Sequence, residues 1–409
     1  MQLCLRSSFE QDYPVDQLEI IFCIQDPHDP AIEIVQYLIS QYPKIDAKLM
    51  IDDTSGGFPD NYGPNPKINN LSKGYKAAKY DVLWVIDSNA WARPDTLKRS
   101  IYSMVHNLHN GRKVNGSKRV KMMNHIPLAV ALDDTSMGCY LDEMFLSSSH
   151  AKFYVSLNTL AVAPCVNGKS NIYRRSDLDH AVARMGEQAS HESVDGLSGN
   201  NFSDARYYGS HPGEGIRFFA RYIAEDNMIG QALWDYVGGR AGMSTDAVVQ
   251  PLGGTNTLSD YINRRVRWLR VRKYMVLAAT LVEPATECLM SGLIGSFSLS
   301  VIFWQCKFNV LYFSLHVLIW FLVDYCQFHL LASYVKALPT DGTSWQFPYF
   351  LRTSYHCQGG LMSVAQFIPV WITRELLAFP IWLIAMIGSR IDWRGQPFKI
   401  KADLTAERL

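Results

Sequence analysis

Two regimes of hydrophobic patterning divide this chain. Over the first 270 or so residues, short apolar runs alternate with amphipathic stretches bounded by turn residues; from Ala285 onward the apolar runs reach the length of a bilayer span. In the first regime, Leu3–Glu10 predicts a helix that gives way at Asp12-Tyr13-Pro14. Leu18–Ile24, short, apolar and β-branched, predicts a buried strand, and Ala47–Ile51 and Asp81–Ile86 predict two more. Helices are predicted at Ala31–Tyr42, from Lys67 to Lys79 and from Pro94 to Leu108, and weaker strand patterns lie at Arg119–His125, Leu160–Tyr173 and Gly242–Val249. Strands alternating with helices imply an α/β domain with a largely parallel sheet. In such sheets ligands bind beyond the carboxyl ends of the strands, where Asp26, Asp29 and Asp87 all fall. The stretch Glu187–Gly215, rich in Ser, Gly, Asn and His, is too polar to pack and reads as a mobile surface insert.

In the second regime, Ala285–Trp304, Phe308–His329 and Leu361–Ile387 are apolar runs of roughly spanning length. The first carries only Glu287 and the second only Asp324, while the third is interrupted by Arg374-Glu375 and by Pro380. The basic run Arg264–Lys273 ahead of them places the preceding domain in the cytosol by the positive-inside rule. The expected domains are therefore 1–274, cytosolic, and 275–409, in the membrane. A single crossing by the third run would leave Arg390, Arg394, Lys399 and Lys401 on the lumenal side, against the same rule. A re-entrant or interfacial helix pair, bent near Arg374–Pro380, is favoured over it.

Composition narrows the classes. Lys+Arg 39 against Asp+Glu 38 leaves almost no net charge, which argues against a general nucleic-acid binder. The eight cysteines form no CxxC pair and no metal-ligand spacing, which fits reduced thiols rather than a disulfide framework. Neither a signal peptide nor an apolar anchor is read at Met1.

Candidate chemistry concentrates between Tyr222 and Trp268. Glu225-Asp226 opens the stretch and Asn263-Arg264-Arg265-Val266-Arg267-Trp268 closes it. On a helix the closing spacing puts Arg264, Arg267 and Trp268 on one face. Two guanidiniums on one face suit a pyrophosphate, and an indole beside them suits a sugar or an apolar acceptor. A carboxylate within reach is placed to take a proton from an acceptor hydroxyl while a diphosphate leaves. The bland alternatives are a helix start at Glu225-Asp226 and a cytosolic anchor at Arg264–Lys273.

With these motifs laid out, the chain resembles the ceramide glucosyltransferase family along nearly its whole length. The resemblance rests on Gln25–Pro30, Asn65-Pro66-Lys67-Ile68-Asn69-Asn70-Leu71, Ile86-Asp87-Ser88, Ser149-His150, Ala224-Glu225-Asp226 and Arg264–Trp268. It implies a GT-A-like (Rossmann-like) α/β fold followed by transmembrane helices, with the family's "D, D, D, RxxRW" signature at Asp29, Asp87, Asp226 and Arg264/Arg267/Trp268. It implies inverting transfer of glucose from UDP-glucose to the primary hydroxyl of ceramide, on the cytosolic face of a Golgi (or ER) membrane. The pattern departs from the family in four places. The chain is read as opening in the helix after the family's first strand, without the N-terminal anchor. The metal motif is Asp87-Ser88-Asn89 rather than a full DxD, and the insert at Glu187–Gly215 is extra, as is part of Asn110–Lys118.

The expected roles follow. Asp226 is the general base. Asp87 holds Mg2+ or Mn2+ on the diphosphate, its alternative being a strand-end turn residue. Asp29 orients the base or ribose, with Asp26 as rival and a helix cap as the alternative for both. Lys67 and Asn69 contact nucleotide or phosphate, the alternative being a solvated helix start. His150 enters the acceptor site through the resemblance alone, and Trp268 floors the sugar or lipid site or serves as an interfacial aromatic. Two competing functions stay open: a processive polysaccharide synthase, and a catalytically dead membrane scaffold or truncated form.

Overall fold

The computed structural model describes residues 1–52, 61–132, 136–192, 203–253, 256–336, 348, 362–393 and 395–409. The chain forms two compact units: Met1–Pro127 with Phe153–Val248, and Leu128–Lys152 with Val249–Leu409. The α/β class expected from the sequence is what the first unit displays, and apolar helices fill the second.

In the first unit the strand Glu19–Ile24 pairs in parallel with Asp46–Ile51, Glu19 opposite Asp46, with helix Ala31–Gln41 between them in the chain. Val35 and Leu38 on that helix bury against Ile20 and Ile24, with Leu5 and Phe9 of the opening helix Gln2–Phe9 in the same core. Helix Pro66–Ala77 starts where its sequence dictates: the Asn65 side chain accepts from the backbone N–H groups of Lys67 and Ile68, and Pro66 occupies the first helical position.

The expected largely parallel sheet is not what forms. A separate four-stranded sheet runs in the order Val82–Ile86, Ser170–Arg174, Arg119–Asn124, Gly239–Gly242. Its first two pairings are antiparallel and only the last is parallel. The reason is that Ser170–Arg174 comes back between two strands that the sequence alternation would have set side by side. Its Ile172, fully buried with Met123 and Leu97, supplies the core contact that holds it there. The pattern read as a strand at Leu160–Tyr173 resolves into the end of helix Ala151–Leu160 and that short strand. The polar insert is also more ordered at its edges than its composition suggested. Helix Arg175–Glu192 enters it and helix Ser203–Ser210 follows, while residues 193–202 lie outside the described residues.

In the second unit, helix Leu258–Met275 begins at a capping box of Thr257 and Asp260. Among the described residues two helices are long and apolar enough to cross a membrane, Val310–Ser333 and Val364–Met386, and a third candidate is a pair, Leu277–Thr286 with Cys288–Trp304, bent by 79°. The break expected near Arg374–Pro380 is therefore misplaced. Val364–Met386 runs on as one helix through Pro369 and Pro380, and the sharp bend lies at Glu287 instead. The reason is that Arg374 is ion-paired with Glu375, Asp324 and Glu287 inside the unit, so no bend is needed to bring the charges to water. Arg394, one of the basic residues behind the topology argument, lies outside the described residues.

Candidate active site

The carboxyl end of Val82–Ile86 delivers Asp87, and the antiparallel pairing of that strand with Ser170–Arg174 sets Lys169 directly across from it, with Asp87 N–H donating to Lys169 O at 2.9 Å. Both oxygens of Asp87 face ammonium groups: Lys67 Nζ lies 3.1 Å from Oδ1 and Lys169 Nζ 3.0 Å from Oδ2. Lys169 also donates to Asn89 Oδ1 at 3.1 Å.

Lys67 is the centre of the cluster. Besides Asp87 it reaches Glu225 Oε1 at 3.4 Å and donates to Gly168 O at 2.6 Å. Gly168 is a close-approach glycine, because a methyl there would sit 2.9 Å from Lys67 Nζ and 3.5 Å from Asp226 Oδ2. Glu225 is fixed in turn by Asn65, whose amide nitrogen donates to Glu225 Oε2 at 2.8 Å and to Tyr222 O at 2.7 Å. One asparagine thus caps the helix that carries Lys67 with its oxygen and holds the acid beside that lysine with its nitrogen.

The electrostatics follow from this crowding. Burial and the neighbouring Glu225 carboxylate raise Asp226 to about 7 against the pull of Lys67, with the Asn227 N–H, at 2.8 Å, as its local donor. Burial pushes Asp87 up as well, yet two ammoniums outweigh it and hold the group below its ordinary value. Burial alone would lower Lys67, but the surrounding carboxylates keep it above the ordinary lysine range. At neutral pH the site therefore holds a charged lysine, an ionised Asp87 and an Asp226 poised to gain or lose a proton.

The other expected residues of this unit are placed differently. Asp29 Oδ1 accepts the Ala31 N–H, the first of the next helix, at 2.8 Å, and Asp26 Oδ1 accepts the His28 N–H at 2.8 Å within the loop before it. Asn69 lies on helix Pro66–Ala77, and both ends of its amide are used by the loop before that helix, accepting from Tyr62 N–H at 3.0 Å and donating to Gly63 O at 2.8 Å.

The arginine–tryptophan motif belongs to the second unit. Arg264 pairs with the buried Asp142 and donates to Asn256 Oδ1 at 2.9 Å. Arg267 donates to Asp392 O at 3.4 Å. Trp268 and His150 lie nearly parallel, 12° apart with ring centroids at 5.4 Å, and the Phe145 ring is 4.9 Å from His150. The pairing of His150 with Trp268 joins two residues singled out on separate grounds.

Sequence reasoning missed Lys169, Gly168 and Asp142, and gave Glu225 no role of its own. Nothing near Lys169 in the chain signals it, since only strand pairing brings it to Asp87. Asn65 followed by Pro66 is a local cap signal that could have pointed to the lysine's helix, although the second partner of Asn65, Glu225, lies 160 positions away. Among the described residues no group of three or more His, Cys, Asp or Glu is placed to hold a metal by itself.

Comparison with known proteins shows the family. The model of the family Glycosyl transferase family 21 matches residues 1–182 and 212–406, and the gap falls on the polar insert. Ceramide glucosyltransferase of Komagataella phaffii (strain GS115) is 48% identical over 422 residues, covering 100% of this chain and 81% of the relative. That of Candida albicans (strain SC5314) is 45% identical, covering 99% and 85%. Ceramide glucosyltransferase 1 of Caenorhabditis elegans is 27% identical, covering 97% and 68%. The solved mannosyltransferase PcManGT from Pyrobaculum calidifontis, in complex with GDP-Man and Mn2+, aligns at a TM-score of 0.41 and 13% identity over 94% of this chain and 82% of that one, a likeness on which nothing below rests.

Proposed function

The chain belongs to glycosyl transferase family 21, and from that membership we propose that it transfers glucose from UDP-glucose to the primary hydroxyl of ceramide, giving glucosylceramide. The observation that carries the chemistry is the convergence of Asp87, Glu225 and Asp226 on Lys67, with Asp226 raised to about 7. A base of that strength is half ionised at working pH, the condition under which proton acceptance is most effective.

In this reaction the ceramide oxygen attacks the anomeric carbon from the side opposite UDP. The new carbon–oxygen bond forms, the hydroxyl proton passes to Asp226, and the bond to the diphosphate breaks with its electron pair leaving on UDP. Inversion follows from the single displacement. Lys67 and Lys169 supply fixed positive charge at the strand end where the diphosphate charge grows. Asp29 and Asn69 are the remaining nucleotide candidates, acting through the loops that they brace.

Mg2+ or Mn2+ fits this end of the strand as a partner of the diphosphate rather than as a resident of a closed cage. Asp87 and Asn89 carry hard oxygens, here paired with Lys67 and Lys169, that the ion would have to share, and such ions bind through one or two carboxylates together with substrate phosphates. When bound, the ion neutralises charge on the departing diphosphate; Asp87 is the residue that would hold it.

Arg264, Arg267 and Trp268, with His150, form the acceptor-side group in this reading. Their helix leads directly into the apolar helices, which suits an acceptor whose tail stays in the bilayer. The catalytic machinery is assigned to the cytosolic face of a Golgi (or ER) membrane, with the basic run Arg264–Lys273 in its support. Product analysis with radiolabelled UDP-glucose and ceramide in membranes tests the whole reading. A lipid carrying one glucose is expected, and a polymer or no transfer would overturn it.

A further inference from the structure

The turn that carries His150 is not an ordinary helical turn. After helix Met137–Phe145, residues Leu146–His150 form a π-helical turn with Leu146, Ser147, Ser148 and Ser149 buried. Turns of this kind are rare, and they recur at functional sites where neighbouring groups hold them open.

What holds this one comes from the apolar helices of the same unit. Gln327, on Val310–Lys336, donates its amide nitrogen to Ser147 O at 2.9 Å and to Ser148 O at 2.8 Å. Arg374, on Val364–Met386, donates to Ser149 Oγ, and Ser149 donates to Glu287 Oε2 at 3.1 Å. Arg374 is itself clamped by Asp324 at 3.1 Å, by Glu287 at 3.5 Å and by Glu375. Asp324 is held in turn by Trp371 Nε1 at 2.8 Å and by Lys152. Each of three consecutive serines is therefore tied to a spanning helix, and the next residue is the histidine stacked on Trp268. A plain α-turn against apolar neighbours would satisfy the same backbone without a glutamine or a buried arginine, whose desolvation is costly.

We propose that Gln327 and Arg374 are positioning residues for the acceptor: they fix the π-turn and, through it, the pose of the His150–Trp268 pair. Engagement of the lipid headgroup is then set from within the membrane region. This inference rests on the reading of that pair as the acceptor-side group.

The test is steady-state kinetics of the full chain in lipid–detergent micelles, with ceramide and UDP-glucose varied separately. Gln327→Met keeps length and flexibility but removes the donor. It should raise the KM for ceramide roughly five- to tenfold, the worth of one or two lost hydrogen bonds, while the KM for UDP-glucose moves less than about twofold. Arg374→Lys, which retains the charge but not the fork to Ser149, should act in the same direction. In a Trp268→Phe background the Gln327→Met effect should shrink, because both changes act on one platform. An equal loss on both substrates, or full additivity with Trp268→Phe, would overturn the proposal. Should Trp268→Phe and His150→Gln leave the ceramide KM unchanged, the acceptor reading itself fails and takes this inference with it. Should they move it while Gln327→Met does not, only the positioning role is lost.

Discussion

Each unit gathers three carboxylates around one cation, and the two clusters behave differently. Around Lys67 stand Asp87, Glu225 and Asp226; around Arg374 stand Asp324, Glu287 and Glu375. The Lys67 side chain keeps 25% of its surface open to solvent, against 2% for Arg374 and 0% for Asp324. Lys67 is a compact charge on a flexible stem with exchangeable partners, whereas the planar guanidinium of Arg374 is locked between acids on several helices. An almost identical list of residue types thus makes a site where protons and ligands exchange in one unit, and a fixed joint between helices in the other. Water access decides between the two.

The contrast breaks most severely at the acids. Asp226→Asn keeps shape and loses basicity, so kcat should fall on the order of 10² to 10⁴-fold while UDP-glucose still binds by titration; near-normal turnover would remove Asp226 as the base. In the other cluster, Arg374→Met leaves Glu287 and Glu375 without their cation and Asp324 with Lys152 alone. It should destabilise the unit by roughly 3–5 kcal/mol, seen as a large drop in unfolding temperature in detergent. Unchanged stability would show that the cluster is not a joint.

Smaller effects sharpen the comparison. With Asp226 raised to about 7, activity requires its ionised form, so kcat/KM should decline about tenfold per pH unit below that value and level off above it. Glu225→Gln removes one of the charges that raises Asp226 and should move the break to lower pH. A flat profile from pH 5 to 8 would contradict the assignment.

The smallest expected effect is on stability. Asp226 holds its proton more tightly in the folded than in the unfolded chain. Its contribution is therefore fully present below the ordinary carboxylate pKa and is lost as pH rises toward about 7. Asp226→Asn cannot ionise, so it should match the parent near pH 4 and exceed it by roughly 1–2 kcal/mol at pH 8, after allowance for partial exposure. A variant less stable at pH 8 would mean that the carboxylate is held favourably rather than at a cost.

The sequence by itself determined the alternation of strands and helices in the first unit, the apolar helices of the second, and the identity of the main acids. These are local properties: β-branched runs, an Asn-Pro cap before Lys67, an acid at the end of Val82–Ile86, arginines spaced along one helix. Tertiary structure alone decided which strand lies beside Asp87, and so brought Lys169 to it across an antiparallel pairing. It alone made Arg374 the centre of a buried joint, removing the reason for a bend at Pro380. The physical reason is one of range. Capping and periodicity act over a few residues and are written in order along the chain. Strand order, burial and the shift of Asp226 depend on groups far apart in the chain, such as Asp87 with Lys169 and Asp226 with Lys67, and no short stretch of sequence specifies that meeting.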